Sequence, residues 1–311
     1  WGLEGREFDD LERSSYFDRL PKAAEAKVTP AVWSLSRDSA GMMARFKTNA
    51  TAIHTRYELT KDRLAMSHMS ATGVSGLDLY ARDDSGRWRW VQVAKPAHQK
   101  VEVQIVSGLD GKEREFAAYL PLYNGVSRLE IGVPKGASFE GLAPRQEKPV
   151  VFYGPSIPHG ACASRPGMVH TAILGRQFDR PVVNLGFSGN GKMDEAVGEY
   201  LIQIDAAVYV IDCLPNMNAA LVREKCPPLV RQLRAAKSGT PIVLVEDRRF
   251  TNSWITPAKA AFHDDNHAAL KECFDLLGDD GEGATDASHP NDLGFMRQAA
   301  VMAKTLAPLL R

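Results

Sequence analysis

No apolar run in this chain approaches the ~20 residues that cross a bilayer, so no helical membrane span is expected. Charge of one sign is not in excess either, with 38 Lys and Arg against 38 Asp and Glu. Lacking a global positive field, the protein is not expected to hold nucleic acid or to insert into a membrane. Cysteine is scarce: Cys162, Cys213, Cys226 and Cys273 lack the close paired spacing of a zinc site and are expected mostly as buried thiols. Internal repeats and low-complexity tracts are missing. The chain begins at Trp1 without a methionine, as a processed or trimmed N-terminus would, and a secreted or periplasmic protein is the expectation.

What is present is length enough, at 311 residues, for two domains that each bury a core. Residues 1–27 are polar and charged with scattered aromatics and are expected as a packed lead-in. From Val28 to about Ala143 short segments alternate in character: Leu77, Leu79, Ala81; Trp88, Trp90; Val101, Val103, Ile105. Turn signals separate them at Asp83-Asp-Ser-Gly86 and at Asp110-Gly111, the second predicting a hairpin with antiparallel pairing. Short strands without helices between them predict a jelly-roll-like β-sandwich over residues 1–147. Trp33, Trp88 and Trp90 are expected in packing rather than as carbohydrate-stacking platforms.

A polar stretch with two prolines, Gly141 to Pro149, has the composition of a linker. Beyond it, strand and helix alternate, and runs such as Ala-Ala-Val-Tyr-Val-Ile and Pro-Ile-Val-Leu-Val are apolar on both faces, as strands covered by helices on either side require. Residues 148–311 are therefore predicted as a three-layer αβα sandwich on a parallel sheet, with helices near 167–178, 194–204, 257–277 and 291–309 and one ending near Ala236.

Three strand ends carry features suited to acyl transfer, and ligands of such sheets bind at these ends. Val150-Val-Phe-Tyr-Gly-Pro-Ser156 runs a strand into a corner that leaves Ser156 at its end as a nucleophile candidate. Asn184-Leu-Gly-Phe-Ser-Gly189-Asn190-Gly191 is a glycine turn whose N–H groups can face a ligand, and Asp212-Cys-Leu-Pro-Asn216 presents an amide from a proline-fixed turn. Together with the N–H of Ser156 these supply the donors an oxyanion needs. Near the end of the chain, Asp286 precedes His289 by three residues, a spacing that lets the carboxylate orient the imidazole toward Ser156.

In this order, the serine turn, glycine turn, asparagine turn and Asp-x-x-His resemble the SGNH hydrolases, the GDSL-type esterases, over about Val150 to Arg311. The resemblance implies Ser156 as nucleophile, the Ser156 and Gly189 N–H groups with the Asn216 amide as oxyanion hole, and His289 with Asp286 completing the triad. It also implies a flavodoxin-like fold, a preceding β-sandwich as in some secreted bacterial members, and a short acyl ester, acetyl foremost, on a carbohydrate. Pro155 stands where the family has an aspartate or threonine, and with Pro158 it stiffens the corner. The asparagine turn also departs from the family pattern, so Asn190 and Asn218 compete with Asn216.

Further substrate-binding candidates are His159, Arg165, Asn190 and Glu246, with a surface arginine or a helix cap as the plain alternative for Arg165 and Glu246. His263 and His267 have the i, i+4 spacing of a metalloprotease helix, yet a solvated helix face is expected and no metal or cofactor is called for. The competing functions are a catalytically impaired carbohydrate-binding protein, an esterase of lipid, thioester or aryl substrates, and a metal-dependent hydrolase through those histidines. Oligomeric state is open.

Overall fold

The computed structural model describes residues 2–269 and 290–310. The first part of the chain supplies strands β1 (Leu3–Glu4), β2 (Met43–Thr48), β3 (Ala52–Leu59), β4 (Asp78–Arg82), β5 (Trp88–Val93), β6 (Lys100–Ser107), β7 (Arg114–Tyr119), β8 (Val126–Gly132) and β9 (Phe139–Gly141), with short helices α1 (Pro30–Ser36) and α2 (Ala71–Val74). One antiparallel sheet runs β1-β2-β7-β4-β5 with β9 on β2, and the other runs β6-β3-β8. Strand β3 shows how they face: Ile53, Thr55, Tyr57 and Leu59 are buried while His54 and Arg56 are exposed, the period of two that closes a sandwich. Phe46, Phe116, Tyr57 and Leu79 fill the space between the sheets.

The Asp83–Arg87 turn closes β4 onto β5 as expected, with Gly86 N–H donating to Asp83 O at 2.8 Å. At Asp110-Gly111 the expected hairpin does not form. Strand β6 pairs with β3 and β7 with β2 and β4, so residues 108–113 carry the chain from one sheet to the other. Gly108 and Gly111 both have positive φ, and Asp110 binds Arg114 and the Lys112 N–H, so this connection is a built crossover rather than a two-residue turn.

The second part contains β10 (Val150–Gly154), β11 (Val182–Gly186), β12 (Val208–Ile211) and β13 (Ile242–Leu244), with helices α3 (Ser156–His159), α4 (His170–Gln177), α5 (Glu195–Leu201), α6 (Ala219–Ala236), α7 (Pro257–Ala269) and α8 (Asp292–Leu306). The strands are parallel in the order β11-β10-β12-β13. Val151 and Tyr153 pack with Val197 and Leu201 of α5 and Leu229 and Leu233 of α6. Val150 and Phe152, pointing the other way, pack with Leu174 of α4 and Met302 and Leu306 of α8. Each fully buried side chain of this size contributes about 1.5–3 kcal/mol, so the central strands hold both helical layers. Helices are started by side chains that satisfy orphan N–H groups: Asn218 caps α6 through Leu221 N–H, and Asn291 caps α8 through Gly294 N–H.

The lead-in divides between the two cores, with Leu3 and Phe17 in the β-sandwich. Leu20, Ala24, Val28 and Val32 join the core on the α5–α6 side of the parallel sheet. A closed ring of alternating charges ties the halves together: Glu4–Arg45–Glu115–Arg82–Asp179–Arg145 and back to Glu4. Among the described residues no helix is long and apolar enough to cross a membrane. Cys162, Cys213 and Cys226 are buried, as expected, while Cys273 lies outside the described residues. Trp33 and Trp88 pack against cores, and Trp90, on the edge strand β5, is 48 % exposed.

Candidate active site

The parallel register fixes where the site stands. Gly154 lies opposite Gly186 and Tyr153 opposite Ile211, so the turns leaving β10, β11 and β12 emerge at one edge of the sheet. Ser156 opens α3 immediately past Pro155 and is buried, at 5 % exposure. The two prolines suit this corner: Pro155 precedes the helix, and Pro158 lies within its first turn, where a missing N–H costs no helical bond. The turn from β11 is drawn against the nucleophile strand, since Phe187 N–H donates to Gly154 O at 2.7 Å. A Cβ on Gly191 would lie 2.0 Å from the same Gly154 oxygen, so only glycine fits there. Gly189, with φ +75°, sits at the exposed tip of this turn.

Of the three asparagines considered for the oxyanion, Asn218 spends its oxygen on the α6 cap and Asn190 turns its amide back to Ser188 O at 2.8 Å. Asn216 ends a 3-10 turn beyond β12 and is exposed. Asp286 and His289 lie outside the described residues.

His159, expected to line the pocket, is instead wholly buried beneath it. Its Nε2–H donates to Leu122 O at 2.7 Å and its Nδ1 accepts from Ser188 N–H at 3.3 Å, which defines the tautomer. Tyr123 stacks on the ring at 4.1 Å between centroids. Burial first, then the nearby Arg19, hold this imidazole well below its ordinary pKa, so it is neutral. A neutral ring with both nitrogens engaged joins the nucleophile helix, the glycine turn and the β7–β8 connection.

Arg19 is a second buried tie that the sequence did not disclose. Its guanidinium donates to Asn184 O at 3.0 Å, Gly186 O at 2.7 Å and Leu35 O at 2.6 Å, with Nε on Asp38 O at 2.9 Å. Burial pushes it down to about 10, still charged at neutral pH. Asn184, a polar residue within an apolar strand, donates to Pro158 O at 2.5 Å and accepts from Gly186 N–H at 2.9 Å. Asp78 does the same for the following segment: wholly buried in β4, it accepts from Gly167 N–H at 2.8 Å and from the Trp90 indole at 2.9 Å. Burial pushes its carboxyl up to about 6 against the pull of Gly167 N–H and Arg165.

Glu246, expected to face the active edge, lies 3.3 Å from His267 on α7. His263, expected on a solvated face, is buried with Asn266, which donates to Met217 O at 2.9 Å and so ties α7 to the asparagine turn. No cluster of histidine, cysteine and carboxylate groups that could hold a metal occurs among the described residues. Below the site Asp212, at the end of β12, is fully enclosed; burial pushes it up to about 7 against the pull of Arg248, and Asp247 adds to the rise. His170 is also enclosed, between Phe152 and Phe295, with neither nitrogen bonded among the described residues, and burial pushes it down to about 3.

The parallel αβα sheet presents a serine turn, a glycine turn and the Asn216 amide at one edge. Residues 147–277 match the GDSL-like lipase/acylhydrolase family, and residues 2–139 match the GxDLY domain, described as the N-terminus of SGNH-type esterases. A protein from Bacteroides ovatus named as a GDSL-like lipase is 31 % identical over 99 % of this chain and 95 % of its own, with a TM-score of 0.92. A salicylyl-acyltransferase of a tetracycline biosynthetic pathway shares the fold at 16 % identity over 99 % and 96 % of the chains, TM-score 0.70. So does a family two carbohydrate esterase from Clostridium thermocellum in complex with cellohexaose, at 13 % over 88 % and 97 %, TM-score 0.55. The curated proteins give no match. The chain belongs to the GDSL-like lipase/acylhydrolase family of SGNH hydrolases, and it is an ester-hydrolysing enzyme. The motif that names the N-terminal domain stands here as Gly76-Leu-Asp78-Leu-Tyr80, and its aspartate is the one that holds Gly167 and Trp90.

Proposed function

We propose that the protein is a serine esterase that removes short acyl groups, acetyl foremost, from carbohydrate esters through an acyl-enzyme on Ser156. The observation that supports this is that the turns bearing Ser156, Gly189 and Asn216 leave the sheet at one edge, with the glycine turn hydrogen-bonded to the nucleophile strand. Ser156 Oγ attacks the ester carbonyl while His289, oriented by Asp286, takes its proton. The Ser156 and Gly189 N–H groups and the Asn216 amide hold the oxyanion. As the tetrahedral intermediate collapses, the alkoxy C–O bond breaks and His289 protonates the departing alcohol. Water, deprotonated by His289, then cleaves the acyl-enzyme to the free acid and regenerates Ser156.

For a sugar alcohol, support comes from the shared fold with the carbohydrate esterase complexed with cellohexaose. Division at 147/148 into a sandwich and a catalytic domain, and a secreted or periplasmic location, belong to the same proposal. The test is a substrate panel: aryl acetate against aryl octanoate, then acetylated xylo-, manno- and gluco-oligosaccharides. Acetate preference with acetate release from an oligosaccharide is expected; octanoate preference, or turnover confined to aryl esters, overturns the proposed substrate class.

A further inference from the structure

Trp90 stands on β5, an edge strand, with 48 % of its surface exposed. An exposed indole is ordinarily free to rotate, but this one is fixed by its N–H bond to the buried Asp78 and by Arg165, whose guanidinium lies 4.6 Å from a ring centroid. Arg165 is in turn 3.7 Å from Asp78 Oδ2 and 3.6 Å from Asp292 Oδ2. Asp292 takes the Ser164 N–H at 3.0 Å and the Ser164 hydroxyl at 2.5 Å, and the Thr72 hydroxyl reaches Ser164 O at 2.7 Å. A continuous rim therefore runs from the β-sandwich across the segment that leaves the nucleophile helix to the first residue of α8.

The composition of this rim selects a ligand class. The Arg165 charge is already met by Asp78 and Asp292, so a phosphate, a sulfate or a uronate finds no unneutralised cation at this rim. A lipid chain would meet the hydroxyls of the exposed Ser70 and Ser164. A neutral polyhydroxylated ring meets both needs: its apolar C–H face covers an aromatic held ready at no ordering cost, and its hydroxyls donate to Asp292 and accept from Arg165. We propose that Trp90, Arg165 and Asp292 form a subsite for a neutral glycosyl unit of the substrate away from the ester, a subsite that rests on the carbohydrate-ester function proposed above.

The test compares kcat/KM on an acetylated oligosaccharide with kcat/KM on an aryl acetate, which has no glycosyl unit, for the full chain and for Trp90→Ala and Trp90→Phe. The ratio is expected to fall about tenfold in Trp90→Ala through a higher KM for the oligosaccharide, and to recover in part in Trp90→Phe, which keeps a ring but not the bond to Asp78. Deacetylated oligosaccharide should inhibit the unaltered protein competitively and Trp90→Ala about tenfold more weakly. A ratio unchanged in both variants, with acetate still released from the oligosaccharide, overturns the subsite and leaves the esterase function standing. Turnover of aryl acetate with none of any acetylated oligosaccharide overturns the carbohydrate function and the subsite with it.

Discussion

The imidazole of His159 accepts the Ser188 N–H on Nδ1 and donates from Nε2 to Leu122 O, so one buried neutral ring couples the nucleophile helix to the turn that carries Gly189. An asparagine at 159 places an acceptor near the Nδ1 position, whereas a glutamine reaches only toward the Nε2 partner. His159→Asn is therefore expected to keep more kcat than His159→Gln, with the glutamine variant losing about ten- to a hundredfold and KM changing little, as for a misplaced oxyanion donor. Steady-state kinetics on an aryl acetate check this; equal losses in both variants, or a loss confined to KM, contradict it.

The glycine turn offers a second contrast. Gly191→Ala drives a Cβ into Gly154 O, a backbone atom of the nucleophile strand that cannot yield, and is expected to abolish both folding yield and activity. Gly189→Ala meets open space but must hold φ +75°, so a cost of about 1–2 kcal/mol in stability is expected, with the N–H retained. Urea denaturation and activity of the two variants separate a steric from a conformational requirement.

Much of this was legible beforehand. The parallel sheet showed as apolar runs because strands buried on both faces have no polar alternation to hide them, and each turn carried its own glycine, proline or serine. What escaped depends on pairing across long separations. Arg19 is one arginine in a charged lead-in, and nothing local marks it as the residue that binds carbonyls 165 and 167 positions later. The Asp110-Gly111 signal was genuine turn chemistry, but the choice between hairpin and crossover lies with the partners of β6 and β7. His159 invited a place in the pocket by its nearness to Ser156, and what buries it, Tyr123 and Leu122 among others, lies far away in sequence. Asp78 and Asn184 did leave a signal, a polar side chain within a stretch of apolar ones.

Buried histidine sets an acid limit. His170 stays neutral in the folded state down to about 3, while the unfolded chain takes a proton on this residue below about 6.5. Its contribution to stability is thus complete above 6.5 and is lost as pH falls toward 3. Between pH 7 and pH 5 this one group should cost about 2 kcal/mol. His170→Leu, of similar volume and without the two unbonded nitrogens, should escape that loss, so the free-energy difference between variant and parent should shift by that amount in favour of the variant. Denaturation curves that stay parallel from pH 7 to pH 5 contradict the assignment.

Within the first part of the chain, Arg145 donates to both oxygens of the buried Glu4, at 2.7 Å from Nη2 and 3.0 Å from Nε. A double-mutant cycle with Glu4→Gln and Arg145→Met should return a coupling of about 1–3 kcal/mol. Because the pair is buried, that coupling should change little between low salt and 0.5 M salt, a concentration at which exposed pairs are screened to about 4 Å.

The central claim is that Ser156 carries the acyl group. Incubating the protein with an aryl phosphonate, following the loss of aryl acetate hydrolysis and locating the adduct by peptide mass spectrometry tests it most directly. One adduct, on the peptide containing Ser156, formed in step with inactivation and absent from Ser156→Ala, is the predicted result. Inactivation with the adduct on another residue, or a Ser156→Ala variant that retains full turnover, would contradict it.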